Sequence, residues 1–326
     1  MICIFYIIFL IFNFLMYDII SIGSATFDVF IKSKKFPLDK MMVGEKIEAE
    51  EFLCASGGGG SNTAAGFSRM GLNTACIARF GDDLFGQFVR ADLEKESFDK
   101  KYLLQKKGDV TDYSTILVNP DGSRIILVSR GKTRIEQSDF PWEALKETKY
   151  LYIASLEGNV DLLEKVVNLA IEQSVKVILN PGSRELKEKE KLTKIFPKLF
   201  GLILNREEAD SLGLKVGPAF AEASAGRPEM VIITSGRQGA KLFSKEKNLL
   251  VESFQVKAID ETGAGDAFSS GFVSGLVKGW NLEKSLKLGM ADGCSVVTKI
   301  GAKPGLLNES ECKDWLSKNL RIEQIN

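Results

Sequence analysis

The chain has 326 residues, 44% of them hydrophobic and 26% charged. At roughly 150 residues per domain this allows two domains or one large α/β domain with an insertion, and it excludes a disordered or fibrous chain. Lys+Arg and Asp+Glu are equal at 43 each and histidine is absent, so no net field draws the chain to nucleic acid or an anionic membrane, and Ser-His-Asp, Cys-His and HExxH chemistries are excluded.

In chain order, the run from Met1 to Tyr17 contains no charged residue. Its stretch of about 16 apolar residues falls short of the ~20 that span a bilayer, and it lacks a basic n-region and a small-residue cleavage site. A membrane anchor, an added core element and an upstream extension of a frame that starts at Met16 are the open readings. The extension is preferred for residues 1–15, because Met16 directly precedes a strand signal, Tyr17 to Gly23. Strand-like runs then alternate with helical periods: Thr74 to Phe80 before Leu84 to Phe98, Tyr150 to Ile153 before Val160 to Gln173, Val175 to Leu179, and Leu202 to Leu204 before Arg206 to Leu212. Such alternation implies a mainly parallel sheet with helices on both faces. Residues 29–56 and 111–130 break the rhythm. The second reads as a hairpin, Tyr113 to Val118 and Arg124 to Val128, turned at Asn119-Pro120-Asp121-Gly122. Together they suit a small sheet that acts as a lid. A loop at 213–229 precedes a strand at Met230 to Thr234. One domain, 16–326, with a lid is the expected organisation. The five cysteines form no CxxC, which fits buried thiols in a reducing, cytoplasmic setting without structural zinc.

Two glycine-rich segments carry the chemistry. In Ser56-Gly57-Gly58-Gly59-Gly60-Ser61-Asn62, Ser61 or Asn62 suits an N-cap to a helix from Thr63 to Met70, with Gly71 at C′. The glycines leave N–H groups open to an oxygen-rich ligand, or form a flexible turn. The spacing G-x-G-x-x-G fails in both registers, which disfavours a dinucleotide oxidoreductase. Gly131-Lys132-Thr133 lacks the earlier glycine of a P-loop. The second segment, Asp260-Glu261-Thr262-Gly263-Ala264-Gly265-Asp266, runs into a helix expected over Ala267 to Trp280. Free N–H groups of Gly263, Ala264 and Gly265 at a helix start suit a phosphate. Asp266 alone reads equally as a helix-dipole partner. A backbone anion hole beside one carboxylate is what phosphoryl transfer to a hydroxyl requires.

Gly57 to Asn62 with its Ala-rich helix, and Asp260-x-Thr262-Gly263-Ala264-Gly265-Asp266-Ala267-Phe268-x-x-Gly271, resemble the two signatures of the ribokinase or PfkB family of carbohydrate and nucleoside kinases. The resemblance runs from about Asp18 to Trp315 and includes Gly81-Asp82-Asp83-x-x-Gly86, Asn205-x-x-Glu208, Thr234-Ser235-Gly236 and Gly301-Ala302. It implies a three-layer α/β/α fold with a small β lid, ATP as donor, Mg²⁺, and often K⁺. Position by position it implies Asp266 as catalytic base and Gly263, Ala264 and Gly265 as anion hole. Asn205 and Glu208 would order phosphates and Mg²⁺ through water, and Thr234 and Gly236 would line the nucleotide. Asp28, Gly58 and Asn62, joined by Glu157, would hold the acceptor. Asp260 to Thr262 and Lys299 to Ala302, with Lys299 and Gly301, resemble the monovalent-cation loops, although Gly305 stands where a serine is common. Gly59 replaces a frequent lysine and Thr26 a familiar asparagine, which argues against ribose; with no lysine at 59 nothing at that position recognises a phosphate or carboxylate, which favours a neutral sugar or nucleoside over a sugar phosphate or sugar acid.

The expected activity is therefore ATP-dependent phosphorylation of a primary alcohol. Its rivals are a nucleoside kinase of the same family and a non-catalytic ligand-binding or membrane-tethered protein on this fold. A membrane partner and nucleic acid are not expected; a second copy of the chain is left open.

Overall fold

The computed structural model describes residues 16–33, 44, 46–214 and 226–325. The apolar extension 1–15, part of the first lid segment and most of the loop at 213–229 lie outside the described residues. The main sheet has ten strands, in the order β14 (Ile322–Gln324), β13 (Asn248–Val251), β12 (Ala240–Ser244), β11 (Met230–Thr234), β10 (Gly201–Asn205), β9 (Lys176–Leu179), β8 (Thr148–Ile153), β1 (Tyr17–Ile22), β4 (Thr74–Gly81) and β5 (Leu103–Lys106). From β11 to β5 every neighbouring pair is parallel, whereas β12, β13 and β14 add an antiparallel edge.

The parallel strands are apolar on both sides because both faces are covered. On one face α3 (Val160–Glu172), α5 (Lys189–Ile195) and α6 (Arg206–Ser211) bring Leu163, Val166, Leu192 and Ala209 onto Ile20, Ile22, Leu202 and Val231. On the other, α1 (Gly59–Arg69), α7 (Ala264–Val277) and α8 (Leu282–Val296) bring Phe67, Phe268, Phe272 and Met290 onto Ile19, Tyr152 and Ile232. This is the three-layer α/β/α arrangement expected.

A separate four-stranded sheet has the order β3 (Glu51–Gly57), β2 (Thr26–Lys32), β6 (Tyr113–Val118), β7 (Arg124–Ser129). β6 and β7 form the expected hairpin, and β2 pairs antiparallel with β3 and parallel with β6. It is tied to the main body through α2 (Leu84–Leu93): Val89 and Leu93 share a core with Phe27 and Val29 of β2 and Phe80 of β4.

Three expectations are corrected. α1 begins at Gly59, with Gly58 rather than Ser61 or Asn62 as its N-cap, so the glycines lie inside the helix. Gly60 sits there because a Cβ on it would come within 2.6 Å of the Gly23 backbone. α2 ends at Leu93 and not at Phe98. α7 begins at Ala264, three residues before the expected start.

Candidate active site

The N-terminus of α7 forms the centre. Gly263 is its N-cap, in the left-handed region at φ 79°, and a Cβ there would lie 2.6 Å from that of Ala302. Both the turn and the contact with the C-terminal loop thus require glycine. Of the expected anion-hole donors, Ala264 N–H points back to Glu261 O at 3.3 Å, while Gly263 and Gly265 have no acceptor for theirs among the described residues. The space beside Gly265 is open: nothing lies within 4 Å of where its Cβ would be. The dipole and free N–H groups of a 14-residue helix meet there, which favours an anion.

One turn in, Asp266 is half-buried, and Asn62 Nδ2 donates to its Oδ2 at 2.9 Å. Burial pushes its carboxyl above the usual carboxylate range; the Asn62 amide and the Lys303 ammonium pull it back, and Asp28 adds to the rise. Asn62 reaches Asp266 because α1 begins early enough to turn position 62 inward. As an N-cap, Asn62 would have spent its side chain on its own helix.

The residues expected to hold an acceptor lie on β2 and at the β3–α1 junction. Asp28 is 7% exposed, accepts from Thr26 Oγ1 at 2.9 Å, and lies against Gly57, where a Cβ would fall 1.8 Å from its Oδ2. Burial raises its pKa, opposed by the Thr26 and Ser114 hydroxyls and the charges of Lys303 and Arg130. Gly58 holds φ 94°, and a Cβ on it would meet Ser24 O at 2.5 Å, so the chain bends tightly into α1.

Glu157 is half-buried and has φ 57°, an uncommon backbone for a side chain of this size. Its carboxylate pairs with Arg130 at 2.7 Å and Arg184 at 3.5 Å; burial raises its pKa and Arg130 opposes the rise. The loop owes its shape to Glu185 in α4 (Ser183–Lys187), fully buried, whose carboxylate accepts from the N–H groups of Leu156, Gly158 and Gly182 at 2.8–3.0 Å. Arg130, Glu185 and Lys303 escaped the sequence reading. Only the sign of Arg130, just after β7, could have flagged one of them: Arg130 meets Asp112 and Glu157 across 18 and 27 residues, Glu185 reaches back 27 to Gly158, and Lys303 meets Asn62 across 241.

A cavity of about 540 Å³ joins Asp266, Gly263 and Gly265 to Asn205, Thr234 and Gly236. Asn205 and Thr234 end adjacent strands in register, and Thr234 Oγ1 reaches Leu204 O at 3.4 Å. Asn205 caps α6: its Oδ1 accepts from Glu208 N–H, and Glu208 Oε2 accepts from Asn205 N–H, each at 2.8 Å. Burial raises the Glu208 pKa. Asp260 is fully buried; Oδ1 accepts from Thr262 N–H and Oγ1, and Oδ2 from Gly301 N–H at 2.9 Å. It locks the 260–262 loop to the 299–302 loop, in which Lys299 is exposed.

These features define a cavity of about 540 Å³ that ends at a carboxylate and an open helix N–H, with a second group of buried polar side chains, Asp28 and Thr26, on the small sheet. Residues 16–309 match the family model "pfkB family carbohydrate kinase", and the chain belongs to that family. It is 26% identical over 307 residues to the ribokinase of Bacillus subtilis (strain 168), covering 93% of this chain and 100% of that one. Among solved structures, the Arabidopsis thaliana ribokinase complexed with ribose and ATP superposes with a TM-score of 0.76 at 20% identity, over 93% of this chain and 100% of that one. Adenosine kinase from Sinorhizobium meliloti gives 0.77 at 21%, over 91% and 99%. The protein is an ATP-dependent carbohydrate kinase of the ribokinase type, acting on sugars or nucleosides. Among the described residues no helix is long and apolar enough to cross a membrane.

Proposed function

We propose that the chain transfers the γ-phosphoryl group of ATP to a primary alcohol of a neutral sugar or nucleoside, with Asp266 as base. The observation that carries this is the placing of Asp266 and the open N–H of Gly265 in one cavity with Asn205, Thr234 and Gly236, while Asn62 links Asp266 toward the acceptor side. Asp266 would take the hydroxyl proton as the alcohol oxygen bonds to the γ-phosphorus and the bond to the β-γ bridging oxygen breaks. The N–H groups at α7 would hold the charge on the transferring group.

The neutral acceptor is supported by the charges at the pocket. Asp28 is an acceptor-only group suited to two hydroxyls of a diol. Arg130, a cation beside the hairpin whose field reaches Asp28, is spent on Asp112 and Glu157, at 2.8 and 2.7 Å. Gly59 adds no side chain: a Cβ on it would already lie 2.9 Å from Ala154 and 3.6 Å from Asp266 Oδ1. Steady-state rates with ribose, fructose, adenosine, fructose 6-phosphate and 2-keto-3-deoxygluconate test this; preference for either anionic compound overturns the neutral-acceptor part.

Mg²⁺ supplies charge neutralisation on the phosphates when bound. Among the described residues no three His, Cys, Asp or Glu gather around a common point, so Glu208 with Asn205 suits an ion that keeps most of its waters. For K⁺, the Asp260 carboxylate already accepts three hydrogen bonds, so carbonyl oxygens of the 260–262 and 299–301 loops would be the main ligands. The small sheet would close over the acceptor as a lid.

A further inference from the structure

Lys303 is 6% exposed, in the C-terminal loop whose Ala302 packs on Gly263. Its ammonium donates to Ser56 O and lies 3.4 Å from Asn62 Oδ1. The Ser56 N–H and hydroxyl are held by Asp92 Oδ2, at 2.9 and 2.7 Å, so Ser56 is fixed at the end of β3. Burial pushes the Lys303 pKa down; the fields of Asp92, Glu96 and Asp28 oppose that, and Arg69 adds to it. The hydrogen-bond acceptors of this buried ammonium are thus a carbonyl and an amide, and burying a charge on such partners is costly.

From this geometry we infer that Lys303 is a positioning residue for the phosphoryl-transfer reaction, one that sets the orientation of the Asn62 amide and through it the presentation of Asp266. A primary amide can face a neighbour with either end. A cation beside Oδ1 excludes the flipped state, in which Nδ2 would point at the ammonium and Oδ1 at the carboxylate. With Lys303 in place, Nδ2 is the end that reaches Asp266 Oδ2, at 2.9 Å. The same side chain ties the loop behind the anion hole to the last residues of β3, joining the two halves of the site at the point where donor and acceptor must meet.

The inference rests on Asp266 being the base, and the test separates the two. In a double-mutant cycle of Lys303→Met and Asn62→Ala on the full chain, with thermal melting as a control for folding, Lys303→Met is expected to lower kcat roughly tenfold at unchanged KM for ATP. Asn62→Ala should lower it at least as much. The double variant should be no slower than Asn62→Ala alone, because residues that act through one another are not additive. Multiplied losses, or a wild-type kcat in Lys303→Met, overturn the inference. If Lys303→Met does not fold, Lys303→Gln keeps a donor for Ser56 O without the charge and must show the same coupling; failure of both to fold marks the lysine as purely structural and also overturns it. Asp266→Asn in the same assay reads the base assignment separately: near-normal activity there rejects the base whatever the cycle shows.

Discussion

Asp266 combines partial burial, a single amide donor at 2.9 Å and a place at the start of a helix where the Gly263 and Gly265 N–H groups are open. Positioned general bases contribute ~10²- to 10⁴-fold, so Asp266→Asn should lower kcat by at least the smaller factor and leave ATP binding, measured by calorimetry, nearly unchanged. The base works as a carboxylate and is lost as pH falls through its pKa. Since burial holds that pKa up, the acid limb of kcat/KM should lie above the range of a free carboxylate, and Asn62→Ala, which removes a group that lowers it, should move the limb further up. A limb unchanged in Asn62→Ala counts against the bond. Asp28→Ala removes the carboxylate proposed to bind the acceptor hydroxyls and should weaken acceptor use tenfold to a hundredfold at about 1.5–3 kcal/mol per bond, with the ATP constants unaffected. Asn62 and Asp266 stand in short glycine-rich patterns that draw attention to them in the sequence, whereas Asp28 stands out only through the family resemblance. Lys303, Arg130 and Glu185 were not legible, because a lone charged residue carries no trace in the chain of a partner tens of positions away.

At the level of elements, local preference and tertiary contact disagree at α1, and contact decides. Glycine ranks near the bottom for helix propensity, and Asn and Ser are strong N-caps, so the sequence favours a start at Thr63. The close approach of Gly23 and Ala154 to Gly60 and Gly59 needs helix backbone without side chains there, and the helix extends back to Gly59. The parallel strands other than β5 were legible from continuous apolar runs; the β12–β14 edge was hidden by the exposed Lys241 and the charged turn Lys245-Glu246-Lys247 between β12 and β13. A buried carboxylate gives a sharp test of how α7 and α8 are joined. Asp292, fully buried on α8, accepts from Ser270 Oγ of α7 at 3.2 Å and from Leu307 N–H at 2.8 Å, and burial pushes its pKa up to about 7. A folded-state pKa above the unfolded one gives stability that is fully present below the unfolded value and lost as pH rises through about 7. Urea melts of the native chain should therefore show this component declining between about pH 4 and 7. Asp292→Asn should flatten the profile in that window; an unaltered slope would remove Asp292 as its source.

Across the whole molecule, Asp28 lies on the small sheet and Asp266 on a helix of the main layer, and the two parts are held together by α2, by Asn62 and by Lys303. Every one of these parts lies within residues 16–325. The first strand already has its full register at Tyr17, paired with Thr148 on one side and, from Ile19, with Thr74 on the other, while Asn73 Nδ2 donates to Met16 O at 3.1 Å. The family match likewise begins at residue 16. A chain shortened to begin at Met16 should therefore express as a folded enzyme with kcat and both KM values equal to those of the full chain, and with a Tm within a few degrees of it. The full and shortened chains, assayed in parallel with ATP and the best acceptor from the panel, decide this. In the same assay both should lose activity completely in EDTA and gain partially from K⁺ over a choline background. A shortened chain that aggregates or turns over slowly would show that residues 1–15 contribute to the fold or the site, and activity that persists in EDTA would reject the expected Mg²⁺ requirement for both.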